Sequence, residues 1–218
     1  MMTTWINASC ILVVFLALSI LASYRMAGMI HLFAAQSLVV GLVPLFLRQF
    51  SLSQNDLMIV AITIVSKSFI TPNILFWAIR HVPTRAEVKP LIGIGASLLV
   101  SALLIAVAFW VAASLQLPGL SKSNLVLPCS LAAVLLGFML LVTRTRAISQ
   151  VVGYLVMENG IFLFALSLFD AMPILIEMGI LLDVFVAVFI MAIVVNHINE
   201  EFSRQPMTLV RSKMGENT

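Results

Sequence analysis

Three ionisable side chains, Lys67, Glu158 and Asp183, stand near the middle of long apolar runs, and a fourth, Glu177, lies six positions before Asp183. A charge in hydrocarbon costs at least ~2.5–3.5 kcal/mol on insertion scales, so such positions point to a role in handling charge. Glu158 is ten residues from the end of its run at Leu168, and Asp183 is ten residues into the next run from Pro173. At a helical rise of ~1.5 Å per residue, both carboxyl groups lie ~15 Å from the same end of two consecutive antiparallel helices. The chemistry this pattern offers is proton exchange. Burial disfavours a carboxylate, a nearby cation favours it, and a group poised between the two passes a proton on. The alternative is a buried ion pair, or a protonated acid bonded to a backbone carbonyl.

Lys67 lies mid-way along its own run, five residues before Pro72. Proline has no N–H, so the Ser68 carbonyl loses its normal helical partner. Two readings follow. Lys67 changes its charge state in a loosened, hydrated turn, or it forms a salt bridge that neutralises one buried carboxylate. In neither does it face lipid. Glu177 is turned by roughly 120° from Asp183 on one helix, and reads either as an outer gate or as an interfacial residue.

The elements that must position these groups are membrane spans. The 218 residues are 62% hydrophobic and 10% charged, where a soluble domain is ~45–50% apolar and ~25% charged. That composition excludes a water-soluble globule. Spanning takes roughly 20 apolar residues as helix, and the runs are Trp5–Ser23, Gly28–Leu47, Asp56–Ile79, Leu91–Ser114, Leu125–Val142, Ala147–Leu168 and Pro173–Val195. The expectation is an all-α polytopic membrane protein, one domain over 1–218 with about seven helices and a polar tail over 197–218. The first run has no basic segment before it and no clear cleavage site, so it reads as a span rather than a signal peptide. Alternate loops hold nine Lys and Arg on one side and two, Arg48 and Lys122, on the other. The basic side is cytoplasmic by the positive-inside rule, which puts the C-terminus inside and the N-terminus outside. Basic residues confined to short loops also explain the net charge of +3 without nucleic acid.

Other chemistry finds little support. Cys10 and Cys129 lie inside apolar runs, as inert thiols or a disulfide, and no spacing matches a metal or phosphate-loop motif. The expectation is no catalytic, metal or cofactor site in this chain. Gln36, Asn73, Ser149, Gln150, Tyr154 and Asn159 form a polar second tier able to bond across helices. His31 and His81 read as surface groups or proton entry points, and His197 with Glu200 and Glu201 as a proton-gathering cluster at the cytoplasmic mouth or a solvated helix end. The glycines Gly153 and Gly160 permit close helix contact.

The run Gly153-Tyr154-Leu155-Val156-Met157-Glu158-Asn159-Gly160, with Glu177-Met178-Gly179-Ile180 and Asp183 after it, resembles the E component of hydrogenase-4. That family comprises membrane subunits of formate-hydrogenlyase-type nickel–iron hydrogenase complexes. Lys67 followed by proline, and the Arg80 to Pro83 exit, look like the same family. Residues 124–196 are also similar to the three-helix K-type subunit of respiratory complex I and of multisubunit cation/proton antiporters. Asp183 falls where that subunit has its third-helix acid. Leu155 falls where it has its second-helix glutamate, and Glu158 comes nearly one turn later. The resemblance implies a proton (or ion) path through Glu158, Asp183, Glu177 and Lys67. It implies antiporter-like membrane partners and a peripheral hydrogenase module holding the nickel–iron site and iron–sulfur clusters, at the inner (cytoplasmic) membrane. The competing readings are a structural clamp between those partners, an antiporter component, and a stand-alone carrier. The carrier lacks an internal repeat and paired broken helices.

Overall fold

The structure is a computed structural model that describes residues 2–47, 54–81, 93–115, 125–168, 186–188 and 190–192. Its elements are α1 (Met2–Ala22), α2 (Met26–Leu47), α3 (Gln54–Val65), a π-helical turn (Ser66–Ile70), α4 (Thr71–His81), α5 (Ile94–Ser114), α6 (Val126–Thr143) and α7 (Ala147–Leu168). α3, the π turn and α4 run on without a break, so these elements make six rods. All six contain a stretch long and apolar enough to cross a membrane. The seventh expected run, Pro173–Val195, lies outside the described residues except for 186–188 and 190–192, which are helical.

Among the described residues the tightest packing is the α6–α7 hairpin, joined through Arg144, Thr145 and Arg146. Three glycines set its spacing. A Cβ on Gly137 would fall 2.3 Å from the Met157 nitrogen, one on Gly153 2.6 Å from the Leu141 nitrogen, and one on Gly160 2.6 Å from the Val134 nitrogen. Each pair of numbers adds to 294, as an antiparallel register requires. Without a hydrophobic force between helices in lipid, such close backbone approach is what gives membrane helices their attraction.

Around the hairpin the core forms layers. At the end that carries Arg25, Arg80 and Arg144, here the basic end, Ile20, Met29, Ile30, Phe33, Leu75, Leu136, Leu140 and Leu155 join α1, α2, α4, α6 and α7, with Val186 and Ile190 in the same cluster. Val13, Val40, Val43, Ala133, Phe162 and Leu163 fill a second layer. Ile6, Cys10, Val126 and Cys129 close the opposite end. Both cysteines are free and buried, which resolves the two readings in favour of thiols. α5 packs on α6 and α1 but leaves Leu99, Leu103 and Trp110 exposed, as suits a lipid-facing helix.

Two side chains tie off helix ends, whose backbone groups lack intrahelical partners. Asn7 Oδ1 accepts the Leu125 N–H at 3.1 Å, where α6 begins. At the basic end, Arg144 Nη2 donates to the carbonyls of Leu21 (2.5 Å) and Ser23 (3.2 Å), where α1 ends.

A buried ion pair at mid-span

Lys67 and Glu158 meet in the bundle interior. The Lys67 Nζ donates to Glu158 Oε1 at 2.5 Å, and the residues are 5% and 3% exposed. Glu158 lies eleven residues into α7 from Ala147 and ten from its end at Leu168, so the pair is near the midplane of its span.

The local sequence explains the meeting. Pro72 cannot donate a backbone hydrogen bond, and the rod responds with the π turn immediately before it. The Thr71 N–H reaches back five residues to the Ser66 carbonyl. The Thr71 hydroxyl donates to the same oxygen at 3.2 Å. The turn buries consecutive residues, Lys67 and Ser68. Single π turns of this kind occur frequently at functional sites. On α7, Glu158 and Phe162 are four residues apart and share a face. Lys67 uses both, with its Nζ 5.7 Å from the Phe162 ring centroid, within range of a cation–π attraction. Phe162 also lines a small cavity with Gly41, Pro44, Val60 and Thr63, on the side away from the basic end.

Polar contacts from α2 flank the pair. Asn159 Nδ2 donates to Ser37 Oγ at 3.0 Å. Gln36 Nε2 donates to the Val13 carbonyl at 3.2 Å and ties α2 to α1. Gln36 Oε1, Ser68 Oγ and Ser149 Oγ are buried without a hydrogen bond. Gln150 serves locally, donating to the Arg144 carbonyl at 2.9 Å. His31 is exposed, with its Nδ1 2.7 Å from the Ala27 carbonyl, in line with a surface group.

The pair's electrostatics define what it can do. Lys⁺ and Glu⁻ sum to zero, so the pair places no net charge in the low-dielectric interior. A proton added from outside leaves a net charge of +1, which low dielectric penalises unless a second carboxylate compensates.

Of the sequence-predicted site residues, Lys67 and Glu158 are brought together. Glu177 and Asp183 lie outside the described residues. Ser37 and Phe162 escaped the sequence reading, although Phe162 stands at the i+4 spacing from Glu158 that a helix face dictates. Arg144 escaped it too. It is 3% exposed, and burial pushes its guanidinium below the ordinary value, with Tyr24 acting the other way. Its loop position signalled only orientation. Among the described residues no group of three or more His, Cys, Asp or Glu is arranged to hold a metal.

A bundle of membrane-length helices with a lysine–carboxylate pair buried at mid-span defines the class: a multi-pass membrane protein with a charged interior. Sequence comparison identifies the family. Hydrogenase-4 component E of Escherichia coli strain K12 is 30% identical over 178 residues, 81% of either chain, and its counterpart in Shigella flexneri matches equally. The uncharacterized protein Rv0085 of Mycobacterium tuberculosis is 28% identical over 200 residues, 88% of this chain and 89% of that one. The chain belongs to the hydrogenase-4 component E family. No family model matches it, and no solved structure does.

Proposed function

We propose that the chain is a non-catalytic membrane subunit of a hydrogenase-type, complex-I-related energy-converting complex, and that it contributes to ion translocation through its interior charges. The observation that carries this reading is the Lys67–Glu158 pair, buried at mid-span, in a chain of the hydrogenase-4 component E family. Glu158 takes and releases protons against Lys67. Asp183 supplies the compensating carboxylate, and Glu177 controls access from the outer side. The part over 124–196 corresponds to the K-type subunit, with the N-terminus outside and the tail in the cytoplasm. The complex sits in the inner membrane. Antiporter-like subunits lie beside this chain, and a peripheral module carries the nickel–iron site and the iron–sulfur clusters.

The competing clamp reading pairs these charges at subunit contacts. It is weakened by the fact that Lys67 and Glu158 pair within one chain.

The test is Glu158→Gln and Asp183→Asn in the assembled complex. Glutamine keeps an oxygen for Lys67 to donate to and removes only the titration. Proton translocation per electron pair is expected to fall while hydrogenase activity and subunit composition persist. Unchanged coupling in both variants would refute the relay, and loss of assembly in both would favour the clamp.

A further inference from the structure

Ile70, Asn73, Trp77 and Arg80 follow one another at spacings of three, four and three, which aligns them in a stripe along the rod. All four are exposed, whereas Leu75 and Ala78 on the other side are fully buried. Asn73 therefore faces away from the described helices. It is seven residues from Arg80, about 10 Å deeper into the span.

An amide at this depth has a demand that lipid cannot meet. It carries two donors and one acceptor, and an unsatisfied polar group in hydrocarbon costs several kcal/mol. The serines Ser9, Ser19, Ser101 and Ser114 avoid that cost by donating to their own helix carbonyls four residues back, at 2.7–3.0 Å. Asn73 makes no such bond among the described residues. The comparison with α5 is informative. Its outward side chains, Leu99, Leu103 and Trp110, are as exposed but carry little to satisfy, so they suit lipid. Asn73 in the α4 stripe does not.

We infer that this stripe is a docking face for a transmembrane helix of a different membrane subunit. That helix presents a hydrogen-bonding side chain to Asn73 and, about two turns nearer the basic end, a carboxylate to Arg80. A second copy of this chain fits poorly. Two copies related by a two-fold axis along the membrane normal would set Asn73 against Asn73, which is acceptable, but also Arg80 against Arg80, which repels. A single polar residue within an apolar seam is a known device for fixing partner and register. The inference does not depend on the proton path, because it concerns the outside of the rod that carries Lys67 on its inside.

The experiment uses the tagged full-length chain in native membranes with its complex present. A photo-crosslinking amino acid is placed at position 73, and at Leu103 as a control. The expected adduct at 73 joins a different membrane subunit and maps to a helix with a polar residue about two turns from an acidic one, while position 103 yields lipid. An adduct only with lipid, with a second copy, or with another stretch of this chain overturns the inference. In parallel, Asn73→Leu is expected to lower co-purification of that subunit roughly three- to thirtyfold, the range that one interhelical hydrogen bond supports, with membrane levels unchanged. Asn73→Gln should restore part of it. Arg80→Glu, at the rim and remote from the core, should weaken the same association. Wild-type co-purification in both Asn73→Leu and Arg80→Glu would overturn the inference as well.

Discussion

Gly137 of α6 lies so close to Met157 of α7 that a single added Cβ would fall 2.3 Å from the Met157 nitrogen and 2.6 Å from its Cα. The residue after Met157 is Glu158, so this contact fixes the segment of backbone that holds the carboxylate. Neither atom belongs to a flexible side chain. Relief of the clash must therefore move one helix relative to the other. Gly137→Ala is expected to destabilise the chain by about 1–3 kcal/mol, the usual cost of overpacking. Gly95→Ala is its control. A Cβ there meets nothing within 4 Å, and alanine is favoured over glycine in a helix by about 1 kcal/mol. Thermal unfolding of the purified chain in detergent should separate the two, with the midpoint lowered for the first and unchanged or raised for the second.

Arg144 links the end of α1 to the α6–α7 turn through its two bonds to the Leu21 and Ser23 carbonyls. Its Nε and Nη1 are buried without a partner. Arg144→Met removes two hydrogen bonds to backbone acceptors, at about 1–3 kcal/mol. It also removes two unpaired N–H groups, which brings the loss to the lower part of that range. Arg144→Lys keeps the charge but loses the planar fork, and one ammonium is a poor substitute at two acceptors. Both variants should speed amide exchange near the end of α1 and leave the far end of α6 unchanged. Equal exchange everywhere would show that the guanidinium is not what ties these ends.

Much of this architecture is legible in the chain because lipid imposes a simple rule: each span must be long and apolar. Six of the expected runs therefore reappear as rods within a few residues. The site was half legible. Lys67 and Glu158 stand out because charge is rare in such runs, and Pro72 signals that the rod beside Lys67 is irregular. Which acid the lysine meets depends on how the rods are rotated. An apolar run that is hydrophobic all round gives no phase from which to read that rotation. The π turn adds a further shift in facing that a regular helical count does not contain. Ser37 and Asn159 were hard to pair for the same reason, since their contact joins α2 and α7 across most of the sequence. Arg144 shows the opposite limit. A loop arginine ordinarily reports orientation, and nothing in its neighbours says that it folds back to cap α1.

The two cysteines offer a check on packing at the end away from the basic residues. Cys10 is 0% exposed and Cys129 1% exposed, with Ile6 and Val126 in the same cluster. A thiol packed away from solvent reacts slowly because the reagent must first reach the sulfur. In intact membranes, a membrane-permeant maleimide should leave both unmodified over a period that fully labels the denatured chain. Rapid labelling of the native chain would mean that α1 and α6 separate at this end.

The Lys67–Glu158 contact itself invites a double-mutant cycle. Lys67→Met leaves a carboxylate without its cation, and Glu158→Leu leaves an ammonium without its anion. Breaking a buried pair from one side typically costs about 3–5 kcal/mol, whereas replacing both partners with apolar groups is often neutral. Each single variant is therefore expected to lower the unfolding midpoint and the steady-state level in the membrane. The double variant Lys67→Met/Glu158→Leu should recover most of both. With a near-neutral double variant the coupling equals the sum of the two single costs, about 6–10 kcal/mol, which only residues in direct contact sustain. Strict additivity would show that the two groups do not act as a pair. If the proton path is right, the recovered double variant is stable but uncoupled, since it regains packing and has no group left to titrate at that position. The second substitution would then restore stability without restoring translocation, which a purely structural salt bridge does not predict.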